Sequence, residues 1–117
     1  SLTNGTTYQE KTMQIMEERK DHCVTLIVSG RLDVETSATL EQEIAKWLPS
    51  PVVWSLVLDF SAVEYISSAG IRVLLSAQKK MKENHEMIIR NPSTFCKQVF
   101  DVTGADIFLK IEYKSWE

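Results

Sequence analysis

Two adjacent hydroxyl groups, those of Ser67 and Ser68, lie where a helix is expected to begin. An apolar run within Val52–Phe60 predicts a buried strand before them, and apolar residues recur at helical spacing through Ile71–Met81. The start of a helix offers free backbone N–H groups and the positive end of the helix dipole, which both favour a negative group. One serine is enough to cap a helix, so the second hydroxyl is free for another use.

The remaining reactive side chains do not suggest an enzyme. His22 and His85 lie in turn-like contexts far from the serines in sequence, and there is no G-x-S-x-G motif. We find neither a metal-ligand cluster nor a glycine-rich phosphate loop in the sequence. We therefore expect no catalytic residue, no metal and no cofactor.

The composition is that of an ordinary folded domain. The 117 residues are 44% hydrophobic and 25% charged, and their net charge of -3 argues against a nucleic-acid binder. No stretch approaches the about 20 apolar residues of a membrane span, and we expect no signal peptide. Cys23 and Cys96 are too few for a disulfide framework, so we interpret them as buried thiols of a cytoplasmic protein.

The first half of the chain predicts a hairpin followed by a helix. Residues 1–10 are polar and predict a loose lead-in. Alternating apolar residues over Met13–Met16 and His22–Ser29, joined by a charged turn, predict an antiparallel hairpin. Asp33 is then placed to cap a helix whose buried stripe includes Leu40 and Ile44.

The second half predicts a strand at Glu86–Arg90 and another helix capped by Ser93. The buried stripe of that helix is expected at Phe95, Val99 and Val102. Gly104 suits its C-terminal cap, and Ile107–Tyr113 alternates as a last strand should.

Strands separated by helices predict a single α/β domain over residues 1–117. Its sheet should be mixed and mostly parallel, with the hairpin as an N-terminal antiparallel part and helices packed on the sheet. The loops that follow parallel strands gather at one edge of such a sheet. We expect these loops at Gly30–Asp33, Phe60–Ser68 and Asn91–Ser93.

Three blocks of sequence resemble one known family. Leu58–Leu74 is similar to the signature of STAS domains, the family of bacterial anti-sigma-factor antagonists. Gly30–Asp33 resembles the family's turn before its first helix, and Val99–Phe108 resembles its approach to the final strand. The resemblance covers residues 12 to 113, and three ordered blocks are far more specific than any one of them.

The resemblance implies a phosphorylation switch. It places the acceptor at Ser68, two residues before Gly70, with Ser67 as an alternative where the family usually has an aspartate. Such antagonists bind an anti-sigma factor that is also a serine kinase and thereby free the sigma factor. Phosphorylation breaks that complex, and a serine phosphatase of the metal-dependent type resets it.

We expect the residues that contact the partner on the same face as the acceptor. Asp33 has an equally good explanation as a helix cap, and Arg72 as a solvated residue. The predicted contact residues are Arg31, Asp33, Ser67, Ala69, Gly70, Arg72, Asn91 and Ser93.

The resemblance leaves one alternative function open. STAS-like domains also occur as regulatory or scaffold parts of transporters and of lipid-transport systems, where no phosphorylation is needed. Phosphate transfer to Ser68 by a kinase would distinguish the two functions.

Overall fold

The computed structural model describes residues 2–9, 12–47, 50–81 and 84–114. In these ranges six strands form one sheet in the order of the chain, and three α-helices accompany them. The elements are β1 (Leu2–Gln9), β2 (Met13–Lys20), β3 (Cys23–Leu32), α1 (Val34–Ala45), β4 (Ser55–Ile66), α2 (Ser68–Lys79), β5 (Glu86–Arg90), α3 (Thr94–Thr103), a short 3₁₀ helix (Ala105–Ile107) and β6 (Ile111–Glu112).

The sheet is antiparallel on one side and parallel on the other. Strands β1, β2 and β3 pair in antiparallel fashion, whereas β3, β4, β5 and β6 pair in parallel. Helices connect the parallel strands, as parallel pairing requires. The predicted fold class, with its N-terminal hairpin, is confirmed.

One hydrophobic core joins strands β2, β3, β4 and β5 to all three helices. Alternate residues of the central strands, such as Leu26 and Leu58, are fully buried against the helices. Each helix contributes an apolar stripe, represented by Leu40 in α1, Leu74 in α2 and Phe100 in α3. This packing fixes the helices on the sheet and therefore fixes the positions of their N-termini.

The predicted loose lead-in is wrong. Residues 2–9 form β1, which pairs with β2 from Leu2 opposite Lys20 to Gln9 opposite Gln14; Ser1 and Glu10 lie outside the described residues. An edge strand is held by main-chain hydrogen bonds, which a polar sequence makes as well as an apolar one. Composition alone therefore gave the wrong prediction.

Strand β4 continues well past the predicted end at Phe60. It runs to Ile66, and its register against β3 shifts twice to accommodate extra residues. At the first shift the Asp59 carboxylate accepts hydrogen bonds from the Ser61 N–H (3.0 Å) and hydroxyl (2.8 Å). The predicted loops at Phe60–Ser68 and Gly30–Asp33 are thus largely strand, because bulges absorb the residues that break the alternation.

The C-terminal predictions need two further corrections. The buried residues of α3 are Cys96 and Phe100, whereas Phe95 is 39% and Val102 84% exposed. Gly104 does cap the helix, with a φ of 77°. The chain then forms the 3₁₀ helix, so Ile107 is 79% exposed and the last strand begins only at Ile111.

Candidate functional site

Strands β3 and β4 bring the two most conspicuous sequence blocks to the same edge of the sheet. Arg31 pairs with Tyr65, and Leu32 pairs with Ile66. The Ser67 N–H then donates to the Leu32 carbonyl oxygen at 2.8 Å. The N-termini of α1 and α2 therefore begin side by side at the carboxyl ends of the parallel strands.

Ser67 is the N-cap of α2. Its backbone is extended, and its Oγ accepts a hydrogen bond from the Gly70 N–H at 3.3 Å. The residue is half-buried. Its hydroxyl therefore stabilises the start of the helix.

Ser68 is the first residue of α2 and is exposed. Within the part of the chain that the structure describes, no hydrogen bond engages its hydroxyl. The first N–H groups of a helix have no intrahelical acceptor, and Ser67 satisfies only that of Gly70. The N–H groups of Ser68 and Ala69 have no acceptor within the helix. They therefore favour an anion attached at Ser68.

Gly70 is buried, and its predicted contact with a partner stays a prediction. A Cβ on this residue would lie 2.7 Å from the Ile66 Cγ1 and 3.2 Å from the Ser37 Oγ. Glycine lets the first turn of α2 approach β4 and α1 this closely. We therefore assign Gly70 to packing.

Asp33 is bound into a capping box at the start of α1. Its Oδ1 accepts a hydrogen bond from the Thr36 N–H at 2.9 Å, and its own N–H donates to the Thr36 Oγ1 at 2.9 Å. The bond from the Thr36 N–H is the main reason that the pKa of Asp33 is lowered from its ordinary value of 3.8. The capping function is established, and a contact with a partner stays a prediction.

The lowered pKa of Asp33 gives a testable pH dependence. The ionised cap stabilises the fold above the ordinary pKa, and this contribution is lost as the pH falls through the lower pKa of the folded state. Below about pH 4, the free energy of unfolding should therefore fall more steeply in the wild type than in Asp33→Asn, which keeps a capping oxygen but does not titrate. Urea unfolding between about pH 2.5 and 6 measures this. An unchanged slope in Asp33→Asn would contradict this explanation.

Ser93 and Asn91 also have structural roles. The Ser93 hydroxyl donates to the Val63 carbonyl at 2.6 Å and accepts from the Cys96 N–H at 3.2 Å. The Asn91 side chain bonds both the carbonyl oxygen and the N–H of Lys114, at 3.0 and 2.7 Å. Both residues lie at the expected edge, and whether they contact a partner stays a prediction.

The two predicted arginines are exposed, and neither forms an ion pair within the described ranges. The guanidinium carbon of Arg31 lies 4.3 Å from the centre of the Tyr65 ring. The Tyr65 ring in turn contacts the ring of Phe95. The sequence did not indicate either aromatic residue as a contact residue, although it did indicate Arg31. The length of β4 was not predicted, and it is this length that places Tyr65 at this edge.

The histidines lie at the opposite end of the sheet. His22 stacks on Trp54 with ring centres 3.7 Å apart, and its Nδ1 is 2.8 Å from the Val52 carbonyl oxygen. His22 and His85 both line an open groove of about 860 Å³ near the first residues of β3, β4 and β5. Cys23 and Lys110 also line this groove. The groove is thus remote from Ser68 and does not bring a histidine to either serine.

The described residues also show whether a metal cluster or a reactive cysteine is present. Three or more side chains able to hold a metal do not come together there. Cys96 is buried as predicted, whereas Cys23 is only half-buried. Burial raises the pKa of the Cys96 thiol, which makes it a poor nucleophile.

None of the helices in the described ranges is both long and apolar enough to cross a membrane.

Comparison with known proteins agrees with this geometry. A family model described as "Mlab, STAS domain" matches residues 15–111. RsfB, an anti-sigma-F factor antagonist of Mycobacterium tuberculosis, is 32% identical over 81 residues, which are 69% of this chain and 66% of RsfB.

Two solved structures share the fold. An anti-sigma factor antagonist from Mycobacterium paratuberculosis superposes with a TM-score of 0.79 at 24% identity, over 92% of this chain and 90% of the other. The phosphorylated form of SpoIIAA, a Bacillus cell fate determinant, superposes with a TM-score of 0.65 at 15% identity, over 98% and 92% of the two chains.

Proposed function

This chain belongs to the STAS domain family, and we propose that it acts as an anti-sigma factor antagonist switched by phosphorylation of Ser68. In its unmodified form it binds an anti-sigma factor and thereby frees the sigma factor. It works in the cytoplasm as a binding regulator rather than as an enzyme. The partners are an anti-sigma factor with serine kinase activity and a metal-dependent serine phosphatase.

The main support for the proposal is that Ser67 and Ser68 have different structural environments. Ser67 caps α2, while Ser68 is exposed one residue later, and its hydroxyl makes no hydrogen bond to any residue that the structure describes. A kinase can reach Ser68 without disturbing the helix cap. The relative RsfB supports the antagonist function, and SpoIIAA supports the switch because it has been solved in both phosphorylated and unphosphorylated forms.

The chemistry of the switch is local. A phosphate adds about -1.5 to -2 charge at one point. Against a docked partner this charge must lose its water, whereas in the free domain the N-terminus of α2 accepts it. Phosphorylation therefore weakens the complex without refolding the domain.

Incubation with a serine kinase of the anti-sigma type and ATP tests this proposal. Mass spectrometry should find one phosphate, on Ser68, which is absent from Ser68→Ala and retained in Ser67→Ala. Because Ser67→Ala loses a helix cap worth about 1 kcal/mol, its folding is checked first by circular dichroism. A phosphate on Ser67 would contradict the assignment, and binding without any phosphate transfer would favour the alternative of a regulatory or scaffold STAS domain.

A further inference from the structure

We propose that Arg31, Tyr65 and Phe95, which we call the Arg31 ladder, dock an acidic segment of the anti-sigma factor. This inference rests on the proposed function and adds to it the chemistry of the partner. It also identifies two aromatic contact residues that the sequence did not point to.

The three side chains of the Arg31 ladder contact one another in sequence and come from three different elements. The guanidinium of Arg31, at the end of β3, lies 4.3 Å from the centre of the Tyr65 ring in β4. The Phe95 ring, in the first turn of α3, is 5.5 Å from that of Tyr65 and tilted by 44°. Both distances are typical of favourable cation–π and aromatic contacts.

The backbone places the Arg31 ladder at the same edge of the sheet as Ser68. The direct neighbours of Arg31 and Tyr65, namely Leu32 and Ile66, lead into the N-termini of α1 and α2. On the other side, Ser93 fixes the start of α3 to β4, because its N–H donates to the Phe60 carbonyl at 3.2 Å and its hydroxyl to the Val63 carbonyl. Little conformational entropy remains to be lost when a partner binds there.

The composition of the Arg31 ladder is that of an interface hot spot. Arginine and tyrosine are enriched among residues that dominate binding energies. Arg31 is exposed, and Phe95 remains 39% exposed although it is an apolar residue. The fully buried residue of the first turn of α3 is Cys96, so the core does not require an aromatic ring at position 95.

The charges at this edge call for a carboxylate from the partner. Within the described residues Arg31 has no ion pair, and Arg72 on α2 has none either. The nearest acid in sequence, Asp33, is close enough for the charge of Arg31 to help lower its pKa, but the two form no ion pair, and the Asp33 carboxylate caps α1. The exposed Glu64 is next to Tyr65 in the chain, yet it forms no ion pair with Arg31. A planar guanidinium with unused donors matches a carboxylate in charge and in shape.

An acidic partner segment also explains why a phosphate on Ser68 is effective. The phosphate adds negative charge at the same edge, where it repels the carboxylate that Arg31 attracts. Release then results from like-charge repulsion as well as from desolvation.

The test measures the affinity for a purified anti-sigma factor without ATP, by isothermal titration calorimetry. Arg31→Glu should weaken binding at least tenfold, and Phe95→Ala about fivefold. The matched control is Arg19→Glu, because Arg19 is also an exposed arginine over an aromatic ring (Trp47, 5.0 Å) but lies away from this edge, in β2. It should change the affinity less than twofold. Thermal unfolding confirms that each variant is folded.

The outcomes separate this inference from the proposed function. If the wild type binds the anti-sigma factor and Arg31→Glu binds as well as Arg19→Glu, the inference is overturned and the function stands. If the wild type binds none of the tested anti-sigma factors, both the inference and the proposed function are overturned. Recovery of Arg31→Glu binding by an Asp→Arg or Glu→Arg change in the partner would support the predicted ion pair directly.

Discussion

Ser68→Glu is expected to lower the affinity for the anti-sigma factor by about 100-fold, which corresponds to about 2.7 kcal/mol. The exposed side chain of Ser68 lies on the proposed docking edge, at the start of α2. A carboxylate placed there must be desolvated on binding and also repels an acidic partner segment. A phosphate, which carries more charge, should have at least this effect.

The same substitution should leave the fold intact. A negative side chain in the first turn of a helix is favourable by about 0.3 to 1 kcal/mol, and the hydroxyl of Ser68 makes no hydrogen bond within the described residues that the change would break. The free energy of unfolding of Ser68→Glu should therefore equal or slightly exceed that of the wild type. Calorimetric titration and urea unfolding of the same samples measure both quantities.

Two further variants isolate the effect of charge at this position. Gln42→Glu places the same charge on an exposed residue of α1 that lies well beyond the first turn of that helix, and it should change the affinity less than threefold. Ser68→Ala removes the hydroxyl without adding charge and should lose far less affinity than Ser68→Glu. Equal binding by Ser68→Glu and Gln42→Glu would contradict the switch.

The sequence was sufficient for features that depend on local chemistry. Asp33, Ser93 and Gly104 were each expected at a helix end, and each makes its cap in the structure. The hairpin of β2 and β3 followed from alternation of apolar residues around a short turn. These interactions span only a few residues, so a single sequence contains all the information that determines them.

The sequence was insufficient where tertiary packing chooses between equivalent local patterns. Phe95, Val99 and Val102 are spaced as a helical stripe, but so are Cys96 and Phe100. The second set is fully buried, whereas in the first set only Val99 packs partly against the core. Similarly, the polar and small residues after Phe60 suggested a loop, while the bulges of β4 keep that segment in the sheet. Neither choice can be made from periodicity alone.

The same limitation applied within the site. Periodicity places a helix boundary only to within a residue or two, which left Ser67 and Ser68 interchangeable as cap and acceptor. The hydrogen bond from the Gly70 N–H identifies Ser67 as the cap, and phosphorylation of Ser68 stays a prediction. Tyr65 and Phe95 are far apart in sequence and meet only because β4 is long and α3 starts beside it.

Gly30 connects the fold to the site in a way that the sequence only partly indicated. It was expected in a turn, but it lies within β3, immediately before Arg31. Its φ is +98°, and a Cβ there would be 2.1 Å from the Thr12 carbonyl oxygen. That oxygen accepts a hydrogen bond from the Arg31 N–H at 2.8 Å. The close approach therefore sets the path of the strand that presents Arg31.

Gly30→Ala should consequently lower the free energy of unfolding by about 3 kcal/mol, from backbone strain at positive φ together with the steric clash. The clash is with backbone atoms of Thr12 and Met13, so rotation of a side chain cannot relieve it. Urea unfolding followed by circular dichroism measures the change. The matched control is Gly5→Ala in β1, where a Cβ meets no atom within 4 Å and the expected change is below about 0.5 kcal/mol. A loss below about 1 kcal/mol in Gly30→Ala would show that β3 and β2 can separate at this point, and Arg31 would then not be held as rigidly as its proposed role requires.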